Sequence, residues 1–547
     1  MDILIKNGTI IDGTGSPGYQ SDILIKEDKI LKIDSNIDVE TNVNVIDASN
    51  KIVAPGFIDI HNHADFNIFD ATKAESFVMQ GMTTLLVGLC GTGIAPTSEV
   101  VEKYYSDFMS KALSVEPKLF ENLQQVHNVL KREGISINLA FLVPHGNVRA
   151  CVLGLDMRRA TEKELEKMKK LVEQNMEFGA FGLSTGLVYP PGSATPTEEL
   201  IELSKIVSEY DGIYDSHMRN EGDGVIDIGM NELIRIAREA NVRAHISHWA
   251  VVSRYKYKKL TPEAINLVEK AHNEGLQITA DVVPYDDGVT NLAYILLETW
   301  VFENLKENLN NLETRARIKK EIFERIFSMF VSNAPFYLRL IPKFLIKRII
   351  YKALSKRVHI LYTVKSHQFE GKTLYEALTK LYPDKKIEDA LLDFIRDEDG
   401  GVVIRHQLKN EEKSVIPLYK QPYVCPSSDA SLITRGNSHP RAFGAFPRVI
   451  QRWVREKGII NLEEAIRKMT SLPASILGIT DRGVLKEGNI ADIVVFDFKK
   501  IEEKGTIENG CQHPEGIDYV IINGEITVSE GKHLGVLKGR VLKHLKK

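Results

Sequence analysis

The sequence predicts an α/β fold: a (β/α)8 TIM-type barrel, a small β-sandwich domain built from both termini, and a long insertion between barrel strands seven and eight. Three observations predict it. Through the middle of the chain, short apolar strands alternate with longer amphipathic helices, the pattern of βα units and a parallel sheet. Eight such strands can be read: Ile52–Ile60, Thr83–Val87, Ile137–Val143, Ala180–Ser184, Gly212–Ser216, Arg243–Ser247, Gln277–Val282 and Tyr423–Ser427. Eight is the count that closes a barrel. Both ends of the chain read as short β segments without helices. At 547 residues, with 43% hydrophobic, the chain is long enough for a large core and a second module.

The elements follow in order. In residues 1–54, Asn7–Gly8 separates Ile3–Lys6 from Thr9–Ile11, and Asn-Gly predicts a hairpin there. Asp22–Ile33 repeats the style around a turn at Glu27–Asp28. Near the other end, Ala491–Asp497 is an apolar strand, and Tyr519–Val528 carries a second Asn-Gly, Asn523–Gly524. Neither piece holds enough strands to stand alone. Residues 1–54 and 481–547 are therefore expected to form one β-sandwich beside a barrel spanning 55–480. Within the barrel, Thr161–Phe178 reads as a helix with Thr161 at its N-cap and Glu162, Glu164 and Glu166 in its first turns.

The insertion, about residues 291–415, is far longer than an ordinary βα connection. It includes Phe336–Val358, which has seven Lys/Arg and no acid. A basic amphipathic segment can lie on a membrane surface; its place after a barrel strand favours a lid over the barrel mouth. The formal net charge of −4 gives no whole-chain argument for nucleic acid or membrane. Four scattered cysteines without a CxxC fit a reducing compartment. The N-terminus reads as strand and turn, without a signal peptide, and no apolar run reaches the ~18 residues of a span. The protein is expected to be cytoplasmic. Its oligomeric state leaves no mark on the sequence.

Barrel active sites lie at the C-terminal strand ends, so the residues there carry the chemistry. The first strand runs into His61–Asn62–His63. Residues i and i+2 of a strand face one way, so His61 and His63 are spaced for one metal ion; two unrelated surface histidines would show the same spacing. Cys90 follows strand two, His217 strand five, His248 strand six and Asp429 strand eight. Six such groups at the same end of one barrel form a transition-metal set. Imidazole and thiolate favour zinc, and a carboxylate completes a second site or acts as a base. Cys151, Cys425 and Cys511 have no partners at ligand spacing and read as packing residues. His145 and His439 read as structural or orienting histidines. His245, on the other strand face from His248, is unassigned. Gly88, Gly91 and Gly93 suggest close backbone approach near Cys90 and lack the spacing of a phosphate loop.

PGFID-x-H-x-H (Pro55–His63) resembles the signature of the amidohydrolase superfamily. Hydantoinases and dihydroorotases of that superfamily bridge two metals with a carboxylated lysine after strand four; this chain has FGLSTGLVYPPG (Phe181–Gly192), without lysine. That motif, Cys90, HMRNE (His217–Glu221), ISH (Ile246–His248), SSDA (Ser427–Ala430), HPRAFGAFPRV (His439–Val449) and GRVL (Gly539–Leu542) resemble the D-aminoacylase family, the N-acyl-D-amino-acid deacylases. The resemblance implies a tightly bound zinc on Cys90, His217 and His248. It implies a second, weaker site on His61, His63, Cys90 and Asp429, with the thiolate replacing the lysine carbamate as bridge. It implies Asp429 as general acid/base, Tyr189 as oxyanion donor, and Arg441 and Tyr285 on the substrate carboxylate. The substrate would be a small acylated amine or amino acid, cleaved at a linear amide. Two positions depart from the pattern: Ala250 stands where the family commonly has lysine, and Gly288–Val289–Thr290 where it has Gly-Ser-Thr. They point to a different or less charged substrate. The competing readings are hydrolysis of another linear or cyclic amide or dipeptide, and a non-catalytic metal-binding scaffold.

Overall fold

A computed structural model describes residues 2–38, 43–105, 116–253, 256–302, 304–331, 343–406, 411–432, 437–544 and 546. The barrel strands are β1 (Phe57–Asp59), β2 (Met82–Val87), β3 (Asn138–Phe141), β4 (Gly182–Gly186), β5 (Ile213–His217), β6 (Arg243–Ile246), β7 (Ile278–Val282) and β8 (Val424–Pro426). β1 to β3 pair in parallel, as do β4 to β8. The short continuation of β3 at Val143–Pro144 pairs with β4. Between β8 and β1 the ring is joined beyond the strand ends. The Asp429 N–H donates to the His61 carbonyl and the His63 N–H to the Ala430 carbonyl, both at 2.8 Å. These two bonds bring three of the expected ligand-bearing positions, His61, His63 and Asp429, together.

The alternation of strand and helix arises as read. The helix Glu162–Glu177 starts with a capping box between Thr161 and Glu164, which satisfies two end donors at once. The first predicted strand, Ile52–Ile60, is two strands in two sheets. Ile52–Pro55 pairs with Ile493–Phe496 of the terminal sheet, and Phe57–Asp59 belongs to the barrel. Gly56 makes the crossing. A Cβ there would lie 2.1 Å from Thr83 Cγ2, so only glycine lets the two sheets approach.

Strands from both ends of the chain share one nine-stranded sheet. The hairpin expected at Asn7–Gly8 is instead a bulge inside one strand, Ile3–Ile10. Asn7, at φ 61°, sends its N–H to Asp22 Oδ1. The bulge lets Ile3–Lys6 pair with Asn44–Asp47 and Thr9–Ile10 with Ile52–Val53. At Asn523–Gly524 the same dipeptide does make a hairpin, with both residues at positive φ. Ile5, Ile23, Ile46, Val53, Ile493 and Ile521 form the core of this part. The last stretch of the chain leaves the sheet and runs along β3: the Leu139 N–H donates to the Arg540 carbonyl and the Leu542 N–H to the Leu139 carbonyl.

The insertion has its own three-stranded antiparallel sheet, Gly288–Asn291, Val403–His406 and Val358–Tyr362, and its own core of Leu292, Ile322, Ile360, Leu378 and Phe394. Of the basic stretch Phe336–Val358, residues 336–342 lie outside the described residues. Lys343–Ser355 is a helix whose Ile350 and Tyr351 are buried in the insertion core. Among the described residues, no helix is long and apolar enough to cross a membrane.

Candidate metal centre

Cys90 is at the centre of the barrel mouth. Its Sγ lies 3.4 Å from His61 Nε2, 3.7 Å from His217 Nδ1 and 3.6 Å from His248 Nε2. Two ligands of a tetrahedral zinc, one sulfur and one nitrogen, are separated by ~3.6 Å if Zn–S is about 2.3 Å and Zn–N about 2.05 Å. The donor spacing therefore fits zinc. Two overlapping three-ligand sets result: Cys90, His217 and His248, all buried, and His61, His63 and Cys90. Burial alone favours the Cys90 thiol, but the His61, His217 and His248 imidazoles hold it well below the ordinary thiol range. The sulfur is thus poised as a thiolate ligand.

The backbone is bent to present these groups. Cys90, His248 and Asp429 all have positive φ, at 51°, 33° and 47°, a conformation non-glycine residues rarely adopt. For His248 this turn, after the strand ends at Ile246, brings the ring inward. Its neighbour His245 faces away, onto Thr279 and Asp281. Gly186, at the end of β4, has no room for a Cβ, which would sit 2.1 Å from the Cys90 carbonyl oxygen.

Asp429 completes the cluster from the β8 side. Its Oδ1 lies 3.4 Å from His63 Nε2 and 3.8 Å from His61 Nε2, and its Oδ2 accepts from Arg441 Nη1 at 2.9 Å. Burial opposes ionisation here, yet Arg441 and the histidines hold the carboxyl well below its usual range. Tyr189 packs edge-on against His217, with ring centres 5.0 Å apart. Burial and the nearby Cys90 and Glu221 charges raise its phenol, so it stays protonated. Tyr285 is engaged elsewhere: its hydroxyl donates to Glu503, and its ring stacks edge-on against His439 and beneath Arg448. His145 is buried with Glu199 and Arg149. All four cysteines are free.

Carboxylates beside the candidate ligands escaped the sequence reading. Asp281, at the end of β7, accepts the His248 backbone N–H at 2.9 Å. Its Oδ1 also lies 3.4 Å from His61 Nδ1. Glu221 Oε1 lies 3.0 Å from His248 Nδ1. Asp59 accepts from the backbone and hydroxyl of Ser428, tying β1 to the Asp429 loop; burial pushes its carboxyl up to about 7. A carboxylate on the far nitrogen of a ligating histidine fixes its tautomer and orientation. Asp281 stands at a strand end like the ligands, and Glu221 lies inside the HMRNE motif. Their positions were visible, and their partners were not.

A sequence profile of the amidohydrolase family matches residues 44–211 and 418–528, on both sides of the insertion. A D-aminoacylase from Alcaligenes xylosoxydans xylosoxydans is 30% identical over 542 residues, covering 99% of this chain and 97% of that protein. Two solved structures align over 99% of both chains at 26% identity. One is an N-acyl-D-glutamate deacylase from Bordetella bronchiseptica complexed with zinc and a phosphonate mimic of the tetrahedral intermediate, with a TM-score of 0.79. The other is a D-aminoacylase, with a TM-score of 0.80.

Proposed function

We propose a reaction for this chain from one premise: it belongs to the amidohydrolase family. The reaction is hydrolysis of the linear amide of an N-acyl-D-amino acid, giving a D-amino acid and a carboxylic acid. The observation that carries it is the thiolate-centred cluster, with Cys90 within 3.4–3.7 Å of three imidazoles and no lysine after β4. Relatives with D-aminoacylase and N-acyl-D-glutamate deacylase activity by name, matched over nearly their full length, support the same choice.

Cys90, His217 and His248 would hold the tight zinc, and His61, His63, Cys90 and Asp429 a weaker second site. Zinc, when bound, lowers the pKa of water and polarises an amide carbonyl. Asp429, ionised and beside the cluster, takes the proton from the attacking water and returns it to the leaving amine. Tyr189, protonated, donates to the developing oxyanion. Arg441 offers a planar fork to the substrate carboxylate.

One feature narrows the substrate. Ala250 and Val289 offer no polar group, and the Tyr285 hydroxyl is bonded to Glu503. Carboxylate recognition therefore rests on Arg441, which favours substrates with weaker demands on that subsite. Thiolate ligation and four free cysteines support a reducing, cytoplasmic setting. The test is a panel of N-acetyl-D- and N-acetyl-L-amino acids, N-acyl amines and cyclic amides. D-selective cleavage of linear amides is expected. Turnover of cyclic amides alone would overturn the reading. Activity confined to N-acetyl-D-amino acids, and unchanged in Ala250→Lys, would overturn the narrowed substrate.

A further inference from the structure

We infer that Asp287 and Arg405, at the root of the insertion, are positioning residues that hold Arg441 and, through it, Asp429. The chain of contacts is continuous. Arg405 forms an ion pair with Asp287. Asp287 Oδ1 lies 2.9 Å from His439 Nε2. His439 Nδ1 accepts the Arg441 backbone N–H at 3.1 Å. The Arg441 guanidinium donates to Asp429 Oδ2 at 2.9 Å. Each member up to Arg441 is buried.

The chemistry of each link makes the chain directional. A ring nitrogen that accepts an N–H carries no proton, so His439 keeps its proton on Nε2, facing Asp287. Asp287 thereby fixes both the tautomer and the plane of the ring. Tyr285 closes a third side of His439, with ring centres 4.9 Å apart. Arg405 supplies the counter-charge that a buried carboxylate requires. Arg405 itself is fixed by a sheet: its strand, Val403–His406, pairs on one side with Gly288–Asn291 and on the other with Val358–Tyr362. The insertion's folded core thus ends in a charge that sets the loop carrying Arg441. The insertion is thereby part of the site's scaffold.

This assignment rests on the role proposed for Asp429, and the experiment separates the two. Asp287→Asn, Arg441→Ala and the double variant are assayed for kcat and KM, melting temperature and cobalt binding. Asp287→Asn is expected to lower kcat/KM by ~10- to 100-fold, with one tightly bound metal retained and a lowered melting temperature, since the buried Arg405 loses its counter-charge. In the Arg441→Ala background the same change should alter kcat/KM by less than about twofold, because the two act as one unit. Independent, multiplicative losses, or an Asp287→Asn enzyme at the wild-type rate, would overturn the inference. Should Asp287→Asn not fold, the comparison moves to Arg405→Gln and Arg405→Lys: lysine should recover most of what glutamine loses, and equal losses would count against it. A wild type without amide hydrolysis defeats the reaction and leaves the relay to the cobalt titration. There the second equivalent should bind at least ~10-fold more weakly in Asp287→Asn, and unchanged binding would overturn the relay.

Discussion

Replacing Asp281 separates its two duties. Its carboxylate accepts the His248 N–H and the Ser427 hydroxyl, and it also meets His245 and His61, all in a fully buried setting. Burial opposes its ionisation, but the His61 and His245 imidazoles hold it well below the carboxylate range. Asp281→Ala orphans several buried donors at ~1–3 kcal/mol each. The loss is on the order of 5 kcal/mol, a large share of the ~5–15 kcal/mol of a folded domain. Asp281→Asn keeps an acceptor oxygen for the His248 N–H but removes the charge behind His61. Its fold should survive, and its zinc affinity should fall ~10- to 100-fold, about 1.4–2.7 kcal/mol. Chelator competition measures the affinity, and thermal melts with and without metal measure the fold. If Asp281→Asn bound zinc within about twofold of wild type, or melted as low as Asp281→Ala, the orienting role would be refuted.

Three further outcomes are expected. Glu221→Gln, which weakens the hold on His248 Nδ1, should reduce tight-site zinc affinity by ~10-fold or more at an unchanged melting temperature; equal affinity in chelator competition would contradict it. Gly539→Ala should destabilise the protein by ~1–3 kcal/mol, since the added Cβ would meet the Ile137 carbonyl oxygen at 2.2 Å and lift the last stretch of the chain off β3; urea melts matching wild type would contradict it. His127 is buried and, among the described residues, neither ring nitrogen has a hydrogen-bond partner; burial, with Lys543 nearby, pushes its pKa down to about 4. The unfolded chain takes up that proton near pH 6.5, so stability is intact above this value and falls towards pH 4, by up to ~3 kcal/mol. The stability difference between wild type and His127→Leu should drift by that amount over this pH window; a constant difference would contradict the assignment.

What the sequence disclosed follows from how local each signal is. Strand ends carrying His61, Cys90, His217, His248 and Asp429 were legible because a barrel gathers its C-terminal strand ends in one place. Each needed only its own strand to be recognised. Asp281, Glu221 and Asp287 act across strands or loops, on partners fixed by tertiary pairing, so no local pattern marks them. The two Asn-Gly pairs show the same limit. Asn523–Gly524 turns a hairpin, whereas Asn7–Gly8 bulges because Asn44–Asp47 and Ile52–Pro55 claim the two halves of its strand. Ile52–Ile60 read as one apolar run because period and composition are continuous through Pro55–Gly56. Only the contact of Gly56 with Thr83 shows where one sheet gives way to the other.

The central claim is that a cysteine thiolate organises a zinc site for amide hydrolysis. Zinc per chain, measured by elemental analysis on wild type and Cys90→Ala, tests it most directly, with both proteins assayed on N-acetyl-D-amino acids. The expected result is one to two zinc per wild-type chain, loss of the metal in Cys90→Ala, and loss of hydrolysis with it. Zinc retained at wild-type stoichiometry without Cys90 would contradict the account.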